Sequence, residues 1–160
     1  MKNIVRLLFL LVITYSCQKE NSTEEMNIST TIDFYMLDNL GNDLLNPTYQ
    51  NSLAINSIKI YYMVNGNQVA YNEPDLDHPK GFLILQPEGS YEKYRFRLFP
   101  NILESEGSLT TTYIKWNDSE TDVVKTQLNI GDSYIICTKI WYNDIIVWDN
   151  SGERFFELLK

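Results

Sequence analysis

From Thr31 onward the chain is cut into short runs of β-branched and aromatic residues, each closed by Asn, Asp, Gly or Pro, and no run sustains a 3.6-residue apolar period. A chain punctuated in this way has no stretch long enough to build an amphipathic helix. Its apolar residues instead fall where they line one face of a pleated strand, which predicts an all-β domain. Ser57–Val64 shows the pattern best: Ile58, Ile60, Tyr62 and Val64 alternate with Lys59, Tyr61 and Met63. Asn65-Gly66 follows at once, a pair suited to the positive φ angles of a two-residue hairpin turn, and Gln68–Tyr71 returns. The apolar face also sets the register, because a slip of one residue would drive Lys59 inward.

The same reading places further strands at Thr31–Leu37, Phe82–Gln86, Tyr91–Phe99, Ser108–Trp116, Asp122–Ile130, Ser133–Tyr142, Ile145–Trp148 and Arg154–Leu159. About nine short strands with regular turns favour a β-sandwich, and an eight-stranded barrel of lipocalin type is the alternative. The threonine-rich strand Ser108–Trp116 is expected at an edge, where a neighbouring subunit would find it. Ser133–Tyr142 is the most apolar run and is expected to be central. In Tyr91–Phe99 the residues Lys93, Arg95 and Arg97 share the face opposite Tyr94, Phe96 and Leu98. That basic stripe is either neutralised by acids on the next strand or left as a contact for an anion.

The first residues carry an address. Lys2 and Arg6 form a positive start, and Leu7–Ile13 is a run of seven apolar residues, the length of a signal core and too short to span a bilayer. Thr14-Tyr15-Ser16-Cys17 then sets a small residue directly before cysteine. This resembles the lipobox of bacterial lipoproteins, and the resemblance implies that residues 1–16 are a lipoprotein signal peptide and that Cys17 takes the diacylglycerol and acyl (palmitate) chains. Each buried CH₂ contributes about 0.8 kcal/mol, so two or three chains hold a protein on a membrane where one does not. Residues 18–30 begin with a polar, acidic run that lacks the apolar surface to offset ordering entropy. They are expected to be a flexible tether reaching roughly 40–45 Å. Residues 31–160 are left as one domain.

Composition narrows the partners. The chain has 13 basic and 21 acidic residues; without Lys2 and Arg6 the balance is 11 against 21, a net charge of −10. Such a surface repels phosphate backbones, which excludes nucleic acid as a natural partner. With Cys17 acylated, Cys137 has no disulfide partner, and its place in Tyr134-Ile135-Ile136-Cys137 reads as a small buried hydrophobe rather than a nucleophile.

No motif for a catalytic constellation, a cofactor or a metal centre stands out. Two groups of residues carry chemistry that a site would use. In the loop Asn72–Gly81, Glu73, Asp75, Asp77 and His78 crowd three carboxylates and an imidazole around two prolines. Such a group is an acid–base or metal site if it converges and an exposed acidic loop if it does not. Trp141, Tyr142 and Trp148 flank the last hairpin and are a sugar-stacking platform if they share a face, core packing if they do not. Asp38-Asn39-Leu40-Gly41-Asn42-Asp43 is rich in oxygen ligands but lacks the spacing and closing Glu of a calcium loop, and reads as a turn.

Asp33-Phe34 through Asn42-Asp43-Leu44-Leu45-Asn46-Pro47, and Ile140-Trp141-Tyr142-Asn143 through Val147-Trp148, together with the start just described, resemble pieces of small lipoproteins of gut and oral Bacteroidota. Cys17-Gln18-Lys19-Glu20 is similar to the signal that sends such lipoproteins to the cell surface. The resemblance implies an outer-membrane envelope location and an immunoglobulin-like sandwich, and brings no activity with it. The expectation is a membrane-anchored binding or interaction module for a protein or glycan, without a cofactor. An envelope hydrolase using residues 73–78 and a structural subunit of an envelope assembly are the alternatives.

Overall fold

The computed structural model describes residues 25–103 and 108–160; the stretch read as a signal peptide, Cys17 and the first part of the expected tether lie outside the described residues. The described chain is all-β. Its strands are β1 (Asn27–Ser29), β2 (Ile32–Leu37), β3 (Lys59–Val64), β4 (Asn67–Ala70), β5 (Phe82–Leu85), β6 (Arg95–Leu98), β7 (Leu109–Lys115), β8 (Thr121–Gly131), β9 (Tyr134–Tyr142), β10 (Ile145–Trp148) and β11 (Phe155–Leu159). They form two mixed sheets. The larger runs β1-β9-β8-β7-β3-β4, with β10 also paired to β9, and the smaller runs β11-β2-β6-β5. Parallel pairing of β1 with β9 and of β11 with β2 makes each sheet mixed. The sheets pack face to face as a β-sandwich and do not close into one barrel, which sets aside the lipocalin-type alternative.

Local chemistry explains the tight hairpins. Asn65 and Gly66, at φ 49° and 74°, join β3 to β4, and Asn143 and Asp144, at φ 48° and 67°, join β9 to β10. Both are two-residue turns whose positive φ values suit the right-handed twist of the strands they connect. The core between the sheets takes the alternating residues of each strand. Phe34, Met36, Phe96 and Leu98 from the small sheet meet Ile60, Ile114, Val124 and Ile140 from the large one, all fully or almost fully buried. Phe34 stacks on Phe96 and Phe156, and Phe96 stacks on Phe82. Each such ring or branched chain contributes about 1.5–3 kcal/mol by leaving water. Cys137 belongs to this core, with its thiol donating to the Lys139 carbonyl oxygen at 3.6 Å.

Three expectations change, and one open alternative is resolved. Asn27–Ser29, assigned to the tether, pairs with Tyr134–Ile136 as β1, so the ordered chain starts earlier than residue 31. Ser108–Trp116 is not at an edge: β7 lies between β8 and β3. Thr110 and Thr112 are buried because each finds a partner, Thr110 pairing with Thr126 at 2.6 Å and Thr112 accepting the Asn101 N–H at 2.8 Å. The strand expected over Tyr91–Phe99 keeps only Arg95–Leu98, because Tyr91 turns back on Glu88 and the Tyr94 N–H donates to Asp43. The basic stripe is not free for an anion at Arg95 and Arg97, since the buried Asp33 carboxylate on β2 takes both guanidinium groups, at 3.0 and 2.7 Å. Asp33 was read only as part of a resemblance, and the cross-strand register is what makes it the neutralising acid.

The Asp38–Asp43 loop is a turn held by its own side chains. The Asp38 carboxylate accepts from the backbone of Leu40 and Asn42 and from the side chains of Asn42 and Tyr49. The donors from Asn42 and Tyr49 hold its carboxyl down at about 2.

Candidate functional site

At the end of the sandwich where β2 begins and β6 ends, the two sheets do not fully close on each other. Asn101, itself fully buried, shapes this end: its backbone N–H donates to Thr112, its side chain donates to the Met63 carbonyl oxygen at 2.8 Å, and its side-chain oxygen accepts the Leu103 N–H at 2.9 Å. Those three bonds pin the segment leaving β6 against β3 and β7, with Pro100 buried, Ile102 packed on the core and Leu103 exposed. Tyr62 on β3 donates its hydroxyl to the Phe99 carbonyl oxygen at 2.7 Å and packs its ring 4.8 Å from Tyr71. Burial pushes the Tyr62 phenol well above the ordinary tyrosine range, so it stays protonated.

Between these walls lies a cleft of about 480 Å³, within the range of small-molecule sites. Ile28 on β1 and Leu76 in the loop after β4 complete its apolar rim. Ile28, Leu76 and Leu103 are 53%, 48% and 75% exposed, a concentration of wet apolar surface that folding alone does not explain. Gly81 is placed for this wall. At φ 76° it takes a conformation that favours glycine, and a Cβ there would stand 2.9 Å from the Tyr71 ring.

The loop Asn72–Gly81 closes on itself through the Glu73 N–H to the Pro79 carbonyl oxygen and the Gly81 N–H to the His78 carbonyl oxygen, both at 2.9 Å. Of its four sequence candidates the structure brings two to the cleft, Glu73 and His78; Asp75 and Asp77 are exposed and do not line it. The His78 ring is stacked flat on Phe99, centroids 3.7 Å apart, so it serves as a wall. Among the described residues no three His, Cys, Asp or Glu groups converge as metal ligands. Glu73 has no hydrogen bond or ion pair to its carboxylate among the described residues, although its charge, after burial, helps to raise the Tyr71 phenol.

Trp141, Tyr142 and Trp148 do not assemble a platform. Neighbours on a strand point to opposite faces, so Trp141 and Tyr142 part company. Tyr142 and Trp148 are in the core, and Trp141 faces outward with Lys139 over its ring. Arg154 lies over the Trp148 ring at 5.1 Å.

At the opposite end of the sandwich is a polar group that sequence reading missed. Asp122 is buried and accepts from Trp116 Nε1 at 2.6 Å, Asn143 Nδ2 at 2.7 Å, Lys160 Nζ at 2.7 Å and the Tyr142 hydroxyl. Lys160 also donates to Glu120 and lies over the Trp116 ring. Burial pushes the Asp122 carboxyl up, but the bonds from Asn143, Lys160, Tyr142 and Trp116 outweigh it and hold it below the usual carboxylate range. A single Asp opening an otherwise alternating strand was the only available signal. With every oxygen already occupied, this cluster locks structure and has no capacity left for a ligand.

Comparison with family models, with curated proteins and with solved structures finds no match in any of the three.

Proposed function

We propose that the protein is a non-enzymatic binding module of the cell envelope, anchored through a lipid on Cys17, with the end cleft as its binding site. The carrying observation is the cleft itself: preformed, apolar, and rimmed by Ile28, Leu76 and Leu103 at an exposure that costs solvation unless something covers them. Two further observations support a binding role over a hydrolytic one. Glu73 and His78 reach the cleft without Asp75 and Asp77, so the four-residue acid–base group of the hydrolase reading is not assembled there. The cleft also lies beside β1, the first described strand, where a tether from the proposed anchor would enter the domain.

The neutral fluorophore N-phenyl-1-naphthylamine tests the site. Saturable binding of one dye per chain is expected, and Leu76→Asp with Leu103→Asp removes it while leaving the melting temperature within a few degrees, because exposed substitutions change stability by only about ±0.5 kcal/mol. Saturable binding that survives the double substitution would place the dye elsewhere and overturn the assignment. The anchor is tested separately: Cys17→Ala is expected to move the protein from the membrane fraction to the soluble one, and retention on the membrane would remove the lipid from the proposal.

A further inference from the structure

The lining of the cleft has one acidic member. Its walls are mostly aliphatic and aromatic, with Thr30 and Thr31 as uncharged polar members; Tyr62 has its hydroxyl engaged with Phe99, and His78 lies flat on the same Phe99. Glu73 alone brings a formal negative charge to the lining, and its carboxylate has no partner among the described residues. Asp75 and Asp77 stand on the same loop, against one cation, Lys80, so the loop beside the mouth is acidic on balance, within a chain whose formal net charge is −8. An anionic occupant would meet this field unfavourably, and a neutral one would leave Glu73 unpaired beside a surface that the occupant itself dries. The charge that fits is positive.

We propose that the cleft is a site for a small apolar molecule carrying one cationic nitrogen, its body between Ile28, Leu76 and Leu103 and its nitrogen on Glu73. This rests on reading the cleft as the binding site, and it adds the head-group chemistry. Apolar contact supplies most of the affinity and the carboxylate supplies discrimination, because an exposed ion pair contributes about 0.2–1 kcal/mol.

The test uses three probes that share one apolar body and differ only at the end: 4-phenylbutylammonium, 4-phenylbutanol and 4-phenylbutyrate. They are measured by calorimetry and by displacement of N-phenyl-1-naphthylamine. The protein is the full chain bearing Cys17→Ala, which keeps the cleft and removes acyl chains that would compete for apolar probes. The ammonium is expected to bind about three- to fivefold tighter than the alcohol, and the carboxylate more weakly than either. Glu73→Gln is expected to erase the advantage of the ammonium and leave the alcohol unchanged. Asp75→Asn with Asp77→Asn is expected to keep the ranking at physiological salt, since neither residue lines the cleft. A carboxylate that binds as well as the ammonium, or a ranking that survives Glu73→Gln, overturns the inference while the cleft stands. If neither the dye nor any probe binds, the cleft reading falls and the inference falls with it.

Discussion

The two ends of the sandwich are built from opposite materials. At the Asp122 end, a carboxylate is buried with Trp116, Tyr142, Asn143 and Lys160 all donating to it. At the cleft end, about 20 Å away along β2 by the rise of a strand, apolar residues are left wet and the one carboxylate is left alone. β2 links them directly, beginning beside Thr31 at the cleft and ending where the Leu37 carbonyl oxygen accepts the Lys160 N–H. Buried polar groups stabilise a fold when every donor and acceptor is matched, and they lose binding capacity for the same reason. An end that is saturated holds the sheets together. An end that is unsaturated is where a partner gains by arriving.

The largest effect is expected from opening the saturated end. Asp122→Ala strands the Lys160 ammonium against Glu120 alone and leaves Trp116 Nε1 and the Tyr142 hydroxyl without their acceptor. Losing one member of such a group costs about 2–4 kcal/mol, read as a shift in the denaturant midpoint. Dye binding per folded molecule should not change, because the cleft shares no residue with the cluster. The acid limb carries an independent signature. The carboxyl of Asp122 lies below its unfolded value in the folded state, so its contribution is complete above about pH 3.9 and is lost as pH falls through the folded value. Asp122→Asn should flatten the stability curve in that acid window and leave its slope between pH 5 and 7 untouched. An acid slope identical to that of the parent chain would show that the cluster is not the lock described.

How much of this contrast was legible in the sequence depends on the distance over which each feature is determined. The Asn65-Gly66 and Asn143-Asp144 turns were readable because their chemistry is local, and the buried row Ile58, Ile60 and Tyr62 followed from alternation alone. Asp33 was invisible as a partner of Arg95 and Arg97 until β2 and β6 were set in register, 62 and 64 residues apart in sequence. The threonines of β7 were misplaced for a related reason. A hydroxyl suits an edge by propensity, but Thr110 and Thr126 satisfy each other across the ladder and can then be buried. Cys137 and Ile140 both face the core although three positions apart, which an unbroken strand forbids; the register shift between Gln127 and Leu128 leaves Thr138 without a register partner in the ladder and restores the alternation. At the cleft, Glu73 and His78 were named but not their separation from Asp75 and Asp77. Asn101, inside what read as a loop, had no signal at all, since its three partners come from β3, β7 and its own next turn.

Asn101→Ala tests the boundary between the two kinds of end, because Asn101 is a saturated polar group that serves the unsaturated site. Its side chain satisfies the Met63 carbonyl and the Leu103 N–H, so truncation should cost about 1–3 kcal/mol. Unlike Asp122→Ala, it should also weaken dye binding per folded molecule, since Leu103 loses the bond that holds it at the rim. Stability lost with binding intact would mean that Leu103 is positioned by something other than Asn101.

The smallest change sharpens the comparison most. Gly81→Ala adds one methyl group at φ 76°, where a non-glycine residue costs about 1–2 kcal/mol, and the new carbon would meet the Tyr71 ring at 2.9 Å and Ile60 at 3.4 Å. Ile60 is core and has little room to move, whereas Tyr71 is half-buried and stands on the cleft side, so the ring should swing into the cleft. The expected result is a modest loss of stability with a disproportionate loss of dye binding, the reverse of the ratio expected for Asp122→Ala. If the two substitutions instead gave the same ratio of binding loss to stability loss, the ends would be energetically one unit. The division of labour between a matched polar lock and an unmatched apolar mouth would then have no physical basis.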